Sequence, residues 1–341
     1  MKKRYSIFGF FFASCVALHA QDLHFSQYNE TPQLINPGST GMYDGALRAI
    51  INYKNQWQSM GNAFNTMAAS FDAPIVGKKA NKAHLGLGLN FFNDKAGDAK
   101  VGLTVVAVSM SGILPVNRES SFSLGISVGG AQNKANYAAL RWGDQYNGTG
   151  FDATINSNEP FAQPSSFYTD LSAGVNYEYY NGKNAMDRNE QKRLAIGVAY
   201  FHMNRPEQQY FSLTEKLYGK YVLNINGFFD ISGTSVSIVP SFVAFLQGPS
   251  REYNIGALVR YRLKNSTKVT GFISESGISI GAHYRFKDAF IPQVNFEIVN
   301  FSIGVSYDLN MSSYSSVSRY NGGAEISLKY LISRGAKWQQ K

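Results

Sequence analysis

From Phe301 onward the side chains alternate without a break. Phe301, Ile303, Val305, Tyr307 and Leu309 fall on one parity, and Ser302, Gly304, Ser306, Asp308 and Asn310 on the other. After a polar stretch, Ala324, Ile326, Leu328, Tyr330 and Ile332 alternate in the same way with Glu325, Ser327 and Lys329. Period two marks a strand, because successive side chains leave opposite faces of a pleated ribbon. Each run is about nine or ten residues, the length a tilted strand needs to cross a hydrocarbon layer.

The same pattern recurs upstream. It predicts strands at 46–57, 66–74, 84–92, 101–114, 122–129, 171–179, 194–200, 221–229, 235–246, 253–263, 278–285 and 290–298, before the final pair. The total is about fourteen, an even number as single-chain bacterial barrels require. Pro240 lies within one of these runs and is expected to bend it. The longest connection, 131–167, follows the fifth strand, and the next, 203–220, follows the seventh. Short turns at 231–234 and 299–300 follow even strands. Long loops outside and short turns inside is the rule for such barrels, so both termini are expected to be periplasmic. The links at 182–193 and 264–277 are longer than that rule prefers.

The polar parity separates a membrane barrel from a soluble sandwich, whose apolar faces would meet a second sheet. Arg48, Lys54, Glu178, Arg260, Arg262, Arg285, Asp308, Glu325 and Lys329 all stand opposite the aliphatic and aromatic residues. The gap between two sheets has no room for these charges, whereas an enclosed lumen does. Turned toward lipid at mid-depth, one Arg or Lys costs roughly 2–4 kcal/mol, so the register is strongly determined. The expectation is an all-β fold, a transmembrane antiparallel up-and-down β-barrel. Tyr53, Phe91, Tyr177, Tyr200, Tyr261, Tyr284, Tyr307 and Tyr330, near strand ends, are expected to form its aromatic girdles.

Composition agrees: 32 glycines, 14% aromatic residues and 16% charged residues. The first twenty residues change the picture further. Lys2, Lys3 and Arg4 precede an apolar run at 7–18 and then Ala20, which reads as a secretory signal peptide over 1–20. Phe12-Ala13-Ser14-Cys15 lacks the leucine of a lipoprotein box, and the apolar run continues past the cysteine. Residues 21–45 alternate poorly and hold Pro32, Pro37, Gly38 and Gly41. They read as an irregular lead-in at the barrel mouth or lumen. The barrel is assigned to 46–333 and a short basic periplasmic tail to 334–341.

Candidate chemistry is sparse. Cys15 is the only cysteine, so the mature chain is expected to have no disulfide, thiol metal site or cysteine nucleophile. The formal net charge is +9, but three basic residues belong to the leader and the rest are scattered, which argues against nucleic acid. His24, His84, His202 and His283 lack metal-ligand spacing, so no metal or cofactor is expected. Gly86-x-Gly88 lies in a strand with no helix after it, so it reads as a packing feature rather than a phosphate loop. No clustered nucleophile and base stands out, and no enzymatic activity is expected. Tyr137, Trp142, Tyr146, Phe151 and Phe161 in the long loop suggest an aromatic contact surface for a partner. The alternative is a loop folded over its own barrel.

Both ends of the chain carry a recognisable pattern. Phe25-Ser26-Gln27 is followed by Asn36-Pro37-Gly38, then Arg48, then Asn52-Tyr53-Lys54-Asn55-Gln56-Trp57, then Phe71-Asp72-Ala73-Pro74. Toward the other end stand Tyr284-Arg285-Phe286-Lys287-Asp288-Ala289, Ser306-Tyr307-Asp308-Leu309-Asn310 and Glu325-Ile326-Ser327-Leu328. This resembles the PorP/SprF family of outer-membrane proteins of the type IX secretion and gliding machinery. Lys54 stands where that family often has Arg, and Gly38 where Ala is common. Residues 130–220 match least. The resemblance implies a non-enzymatic barrel in the outer membrane of a Gram-negative bacterium. Its implied partners are outer-membrane lipid, a secreted adhesin or the C-terminal domain of another cargo, and secretion-system and peptidoglycan-linked periplasmic components. The motif residues Phe25, Ser26, Gln27, Asn36, Pro37, Arg48, Asn55, Gln56, Trp57, Asp72, Arg285, Ser306, Tyr307, Asp308 and Glu325 are read as structural, several of them pinning the lead-in against the first strand. The rival reading is a passive porin or small-solute channel, which needs an open lumen.

Overall fold

The fold is taken from a computed structural model that describes residues 24–56, 64–76, 82–97, 100–136, 140–158, 165–181, 191–210, 213–264, 276–312 and 320–332. The residues assigned from sequence to the leader and the basic tail lie outside these ranges, as do Trp57, Tyr137 and Phe161.

Alternation produces strands where it was expected. In chain order they are β1 (Leu47–Gln56), β2 (Phe64–Val76), β3 (His84–Ala96), β4 (Val101–Pro115), β5 (Ser120–Lys134), β6 (Ser165–Asn181) and β7 (Lys192–Phe201). Next come β8 (Glu207–Tyr210), β9 (Leu213–Lys216), β10 (Lys220–Asp230), β11 (Val236–Gln247), β12 (Ser250–Lys264) and β13 (Ser276–Arg285). The last are β14 (Ala289–Ile298), β15 (Phe301–Asn310) and β16 (Asn321–Ile332). Fourteen of these close into one antiparallel barrel, each next to its neighbour in sequence, with β1 paired to β16. Closure matters because an open edge in hydrocarbon would leave a row of unsatisfied backbone groups. β8 and β9 form a separate two-stranded hairpin in the link between β7 and β10, a region read from sequence as loop.

The faces sort as the parity demands. On β15, Phe301, Ile303, Val305, Tyr307 and Leu309 are exposed on the outer surface, while Ser302, Ser306, Asp308 and Asn310 are buried inside. Lys54, Arg260, Arg262, Arg285 and Glu325 are likewise buried, and Tyr53, Phe91, Tyr177, Tyr261, Tyr284 and Tyr307 are exposed on the outer surface. The barrel therefore inverts a soluble core, with apolar groups outside and polar groups within.

Two differences from the sequence reading have physical causes. The long segment assigned to 131–167 is shorter at both ends, because Ala131, Gln132 and Lys134 pair with Tyr168, Phe167 and Ser165. Ladder hydrogen bonds continue beyond the membrane, where no apolar face is required and the period-two signal fades. Pro240 leaves the β11–β12 ladder continuous. The β10–β11 ladder instead skips from Asn226↔Ser241 to Phe229↔Ile238. A second proline, Pro292, coincides with a similar gap between β14 and β15, from Phe290↔Leu309 to Gln293↔Ser306. Proline has no N–H to give to a ladder, and in both cases the register is the same on either side of the gap.

One end of the barrel carries the links after β1, β3, β5, β7, β11, β13 and β15, including the longest, and is called here the loop end. The other carries the start of β1 and the end of β16, where Ala46 N donates to Ile332 O at 2.7 Å. Because Val305 sits mid-strand on the outer face, Val305→Arg should destabilise the folded barrel by about 2–4 kcal/mol. Denaturant unfolding in lipid vesicles measures this, and Ser302→Ala at the inner face is the control.

Candidate functional site inside the barrel and at the loop end

Residues 24–46 fill the lumen. Three short turns shape them: Tyr28–Glu30, Pro32–Ile35 and Pro37–Ser39, with Pro32 and Pro37 at the start of theirs, where a missing N–H costs nothing. A segment this irregular has unpaired backbone groups. The wall supplies their partners.

At the loop end, the Glu325 carboxylate accepts the backbone N–H of Ser26 at 2.7 Å and that of Gln27 at 3.0 Å. Gln27 in turn donates to Glu325 O at 3.1 Å and accepts from Ser327 Oγ at 2.8 Å. Ser26 Oγ donates to Asp308 Oδ2 at 2.8 Å and accepts from Lys54 Nζ at 3.1 Å and Arg285 Nη1 at 3.2 Å. Asp308 is shared by Lys54 at 3.3 Å and Arg285 at 2.9 Å, and Arg285 also pairs with Asp288. Farther along, Lys329 Nζ meets Glu30 Oε2 at 2.9 Å. Phe25 packs edge-on against Phe92, with ring centroids 6.3 Å apart. His24 pairs with Glu252 at 3.1 Å and stacks on Phe245.

In mid-lumen, Tyr28 OH donates to Ser241 Oγ at 2.9 Å, and Ser241 Oγ lies 2.8 Å from His283 Nε2. The Ser241–His283 pair has the spacing of a nucleophile and base. However, both residues are buried, the serine oxygen is occupied by Tyr28, and among the described residues His283 Nδ1 has no hydrogen-bond partner. That lacks the acid which orients a catalytic histidine. Asn36 Nδ2 donates to Val175 O at 2.9 Å, and Asn36 Oδ1 accepts from Gly38 N at 2.8 Å.

Toward the opposite end, Arg48 clasps Asp72 with two bonds, 2.9 Å and 2.7 Å, and reaches Ser39 O at 3.2 Å. Asp72 Oδ2 also accepts Gly41 N at 2.7 Å, and Tyr43 OH donates to Asp72 O at 2.6 Å. Gly41 has φ +67°, a left-handed conformation that a side chain would strain. Wall glycines admit the segment: a Cβ at Gly125 would overlap the Pro37 carbonyl, and one at Gly174 would overlap Asn36 Oδ1.

The remaining sequence-selected residues are placed differently. Asn55 Nδ2 donates to Asn65 Oδ1 at 2.7 Å near the loop end, away from the lead-in. Gln56 closes β1 opposite Phe64 and Gly323. Tyr307 faces outward, donating to Asn321 Oδ1 at 3.1 Å, and Ser306 is buried with no partner for its hydroxyl among the described residues. Sequence reasoning misses Tyr28, Gln33 and Thr40 as lead-in contacts to the wall, and Ser241, Glu252 and the inward glycines as wall contacts to the lead-in. The inward glycines carry a detectable sign, since Gly125 and Gly174 are cross-strand partners on one parity.

The long loop is held by its own bonds. Asn147 Oδ1 accepts Thr149 N at 3.0 Å and Gly150 N at 2.9 Å, and Asp152 N donates to Gln145 O at 2.8 Å. Tyr146 bridges to Phe151, and the Arg141 guanidinium lies 5.0 Å from the Phe151 ring centroid. Tyr146 is 62% exposed and Phe151 42%, whereas Trp142 is half-buried. Among the described residues no cluster of His, Cys, Asp or Glu is arranged to hold a metal ion.

A closed strand cylinder with an apolar belt and a polar, self-filled interior defines a transmembrane β-barrel of the outer-membrane type. Residues 17–330 match the family described as type IX secretion system membrane protein PorP/SprF, and the chain belongs to that family. It is thus a type IX secretion barrel of the Gram-negative outer membrane. No curated protein matches it. Solved structures similar to it include the translocator domain of the autotransporter NalP from Neisseria meningitidis, with 9% identity, 89% of this chain and 96% of that chain covered, and TM-score 0.44. The P. putida toluene transporter TodX is similar at 8% identity, covering 89% and 94%, with TM-score 0.43. The CymD monoaromatic hydrocarbon channel is similar at 7% identity, covering 90% and 94%, with TM-score 0.45.

Asp308→Ala leaves Lys54 buried without its carboxylate and should cost about 3–5 kcal/mol, the usual price of stranding one partner of a buried pair. Limited proteolysis of the folded barrel should then cut within residues 24–46, where the wild type resists.

Proposed function

We propose that this chain is a non-enzymatic barrel of the type IX secretion apparatus that docks a surface adhesin or other cargo through its C-terminal domain. In this reading the loop end faces outward and receives the cargo. The opposite end faces the periplasm and meets peptidoglycan-linked components of the apparatus. The observation that carries the reading is the filled lumen. Ser26, Gln27, Gln33, Asn36 and Thr40 are all buried inside the wall, which speaks against a passive porin and moves the working surface to the rims. The exposed Tyr146 and Phe151, on a loop ordered by its own hydrogen bonds, supply large rigid rings of the kind that anchor interfaces. The motif residues serve mainly to seat the lead-in.

Purification from native outer membranes, with mass spectrometry of what accompanies the barrel, should recover a large secreted protein and secretion-system partners. Deleting residues 147–165 should lose the secreted protein while the barrel stays heat-modifiable on gels. Unchanged retention would remove the loop from the dock. Reconstituted in planar bilayers, the wild type should show no steady large conductance, and a steady open pore would favour the channel reading.

A further inference from the structure

The lead-in has a direction, and β1 measures it. Arg48 and Lys54 both point into the lumen from this strand, six residues apart, which is about 20 Å along an antiparallel strand. Arg48 reaches Ser39 O at 3.2 Å, whereas Lys54 reaches Ser26 Oγ at 3.1 Å and His24 O at 3.4 Å. The wall on the far side gives the same order. His24 meets Glu252, just after the link between β11 and β12 at the loop end. Thr40 O accepts from Ser111 near the other end of β4, and Ala46 bonds to Ile332 beside the start of β1. Residues 24–46 therefore run through the barrel from the loop end to the opposite end.

An even number of strands returns a chain to the side it started from. The lead-in adds one more pass. We infer that residues 24–46 act as a fifteenth crossing, so that His24 opens on the face of the long loops, and Ile332 on the other. Among the described residues, His24 and Ile332 stand at opposite ends of the barrel. A partner seated on the loop end then meets the start of the lead-in together with the loops, and this part of the inference rests on the loop end facing outward. The lead-in cannot serve as a periplasmic contact along its first residues. Only residues near Tyr43 to Ala46 reach that side.

Single-cysteine labelling tests the threading. In a Cys15→Ser background, Tyr146→Cys marks the loop end and Ile231→Cys, 43% exposed in the turn after β10, marks the opposite end. A membrane-impermeant maleimide on intact cells should react with Tyr146→Cys and reach Ile231→Cys only after the outer membrane is permeabilised. His24→Cys, and a short epitope inserted directly before His24, should follow Tyr146. If both follow Ile231, the threading is overturned. If Tyr146 and Ile231 exchange behaviour while His24 still follows Tyr146, the threading stands and the outward assignment of the loops falls.

Discussion

A barrel wall one residue thick has two faces and no interior of its own. Each strand must show lipid an unbroken apolar row, and period two then sends every second side chain into the lumen. Once those inward positions are Lys54, Arg285, Asp308 and Glu325, they need counter-charges or hydrogen-bonding partners, because desolvated ions left alone are costly. The wall provides some through Lys54–Asp308 and Arg285–Asp308. The lead-in provides others. The two carboxylate oxygens of Glu325 each accept a backbone N–H, one from Ser26 and one from Gln27. Segment and wall thus satisfy each other, and neither polar set is satisfied alone.

The two ends of the lumen hold the segment by different physics. At the loop end the contacts are ionic and charge-assisted, centred on Ser26 and Gln27. Lower down they are steric as well, because glycines at 125 and 174 let the backbone of residues 36–38 lie against the strands. Between them, Tyr28 and Ile35 join Ala199, Val222, Val243 and Phe245 in a small apolar cluster inside an otherwise polar lumen. The Arg48–Asp72 clasp then fixes the last turn before β1 begins.

How much of this could be read beforehand follows from what alternation encodes. It encodes depth and face, so all fourteen wall strands and the inward placement of Arg48, Arg285, Asp308 and Glu325 were legible. Strand ends were not: around Gln132 and Lys134 the ladder continues into water, where polar residues suit both faces and the period is lost. The hairpin of β8 and β9 escaped for the same reason. The site was legible only in part. Ser26, Gln27 and Asp72 stood out through resemblance, but their partners are far away in the chain, Gln27 and Glu325 being separated by 298 residues. Parity names which residues enter the lumen. It does not say which path a non-repeating segment takes among them, and so only the structure shows the passage of residues 24–46 from one rim to the other.

The two ladder gaps at Pro240 and Pro292 have a mechanical consequence. They fall on the β10–β11 and β14–β15 boundaries, on either side of the four strands β11 to β14. Fewer ladder bonds hold those two boundaries, so the curved plate between them is joined to the rest of the wall less tightly there. That plate carries His283, Arg285 and Glu252, three of the groups closest to the first turns of the threaded segment. The grip on Tyr28 and His24 thus comes in part from strands that lie between those two boundaries.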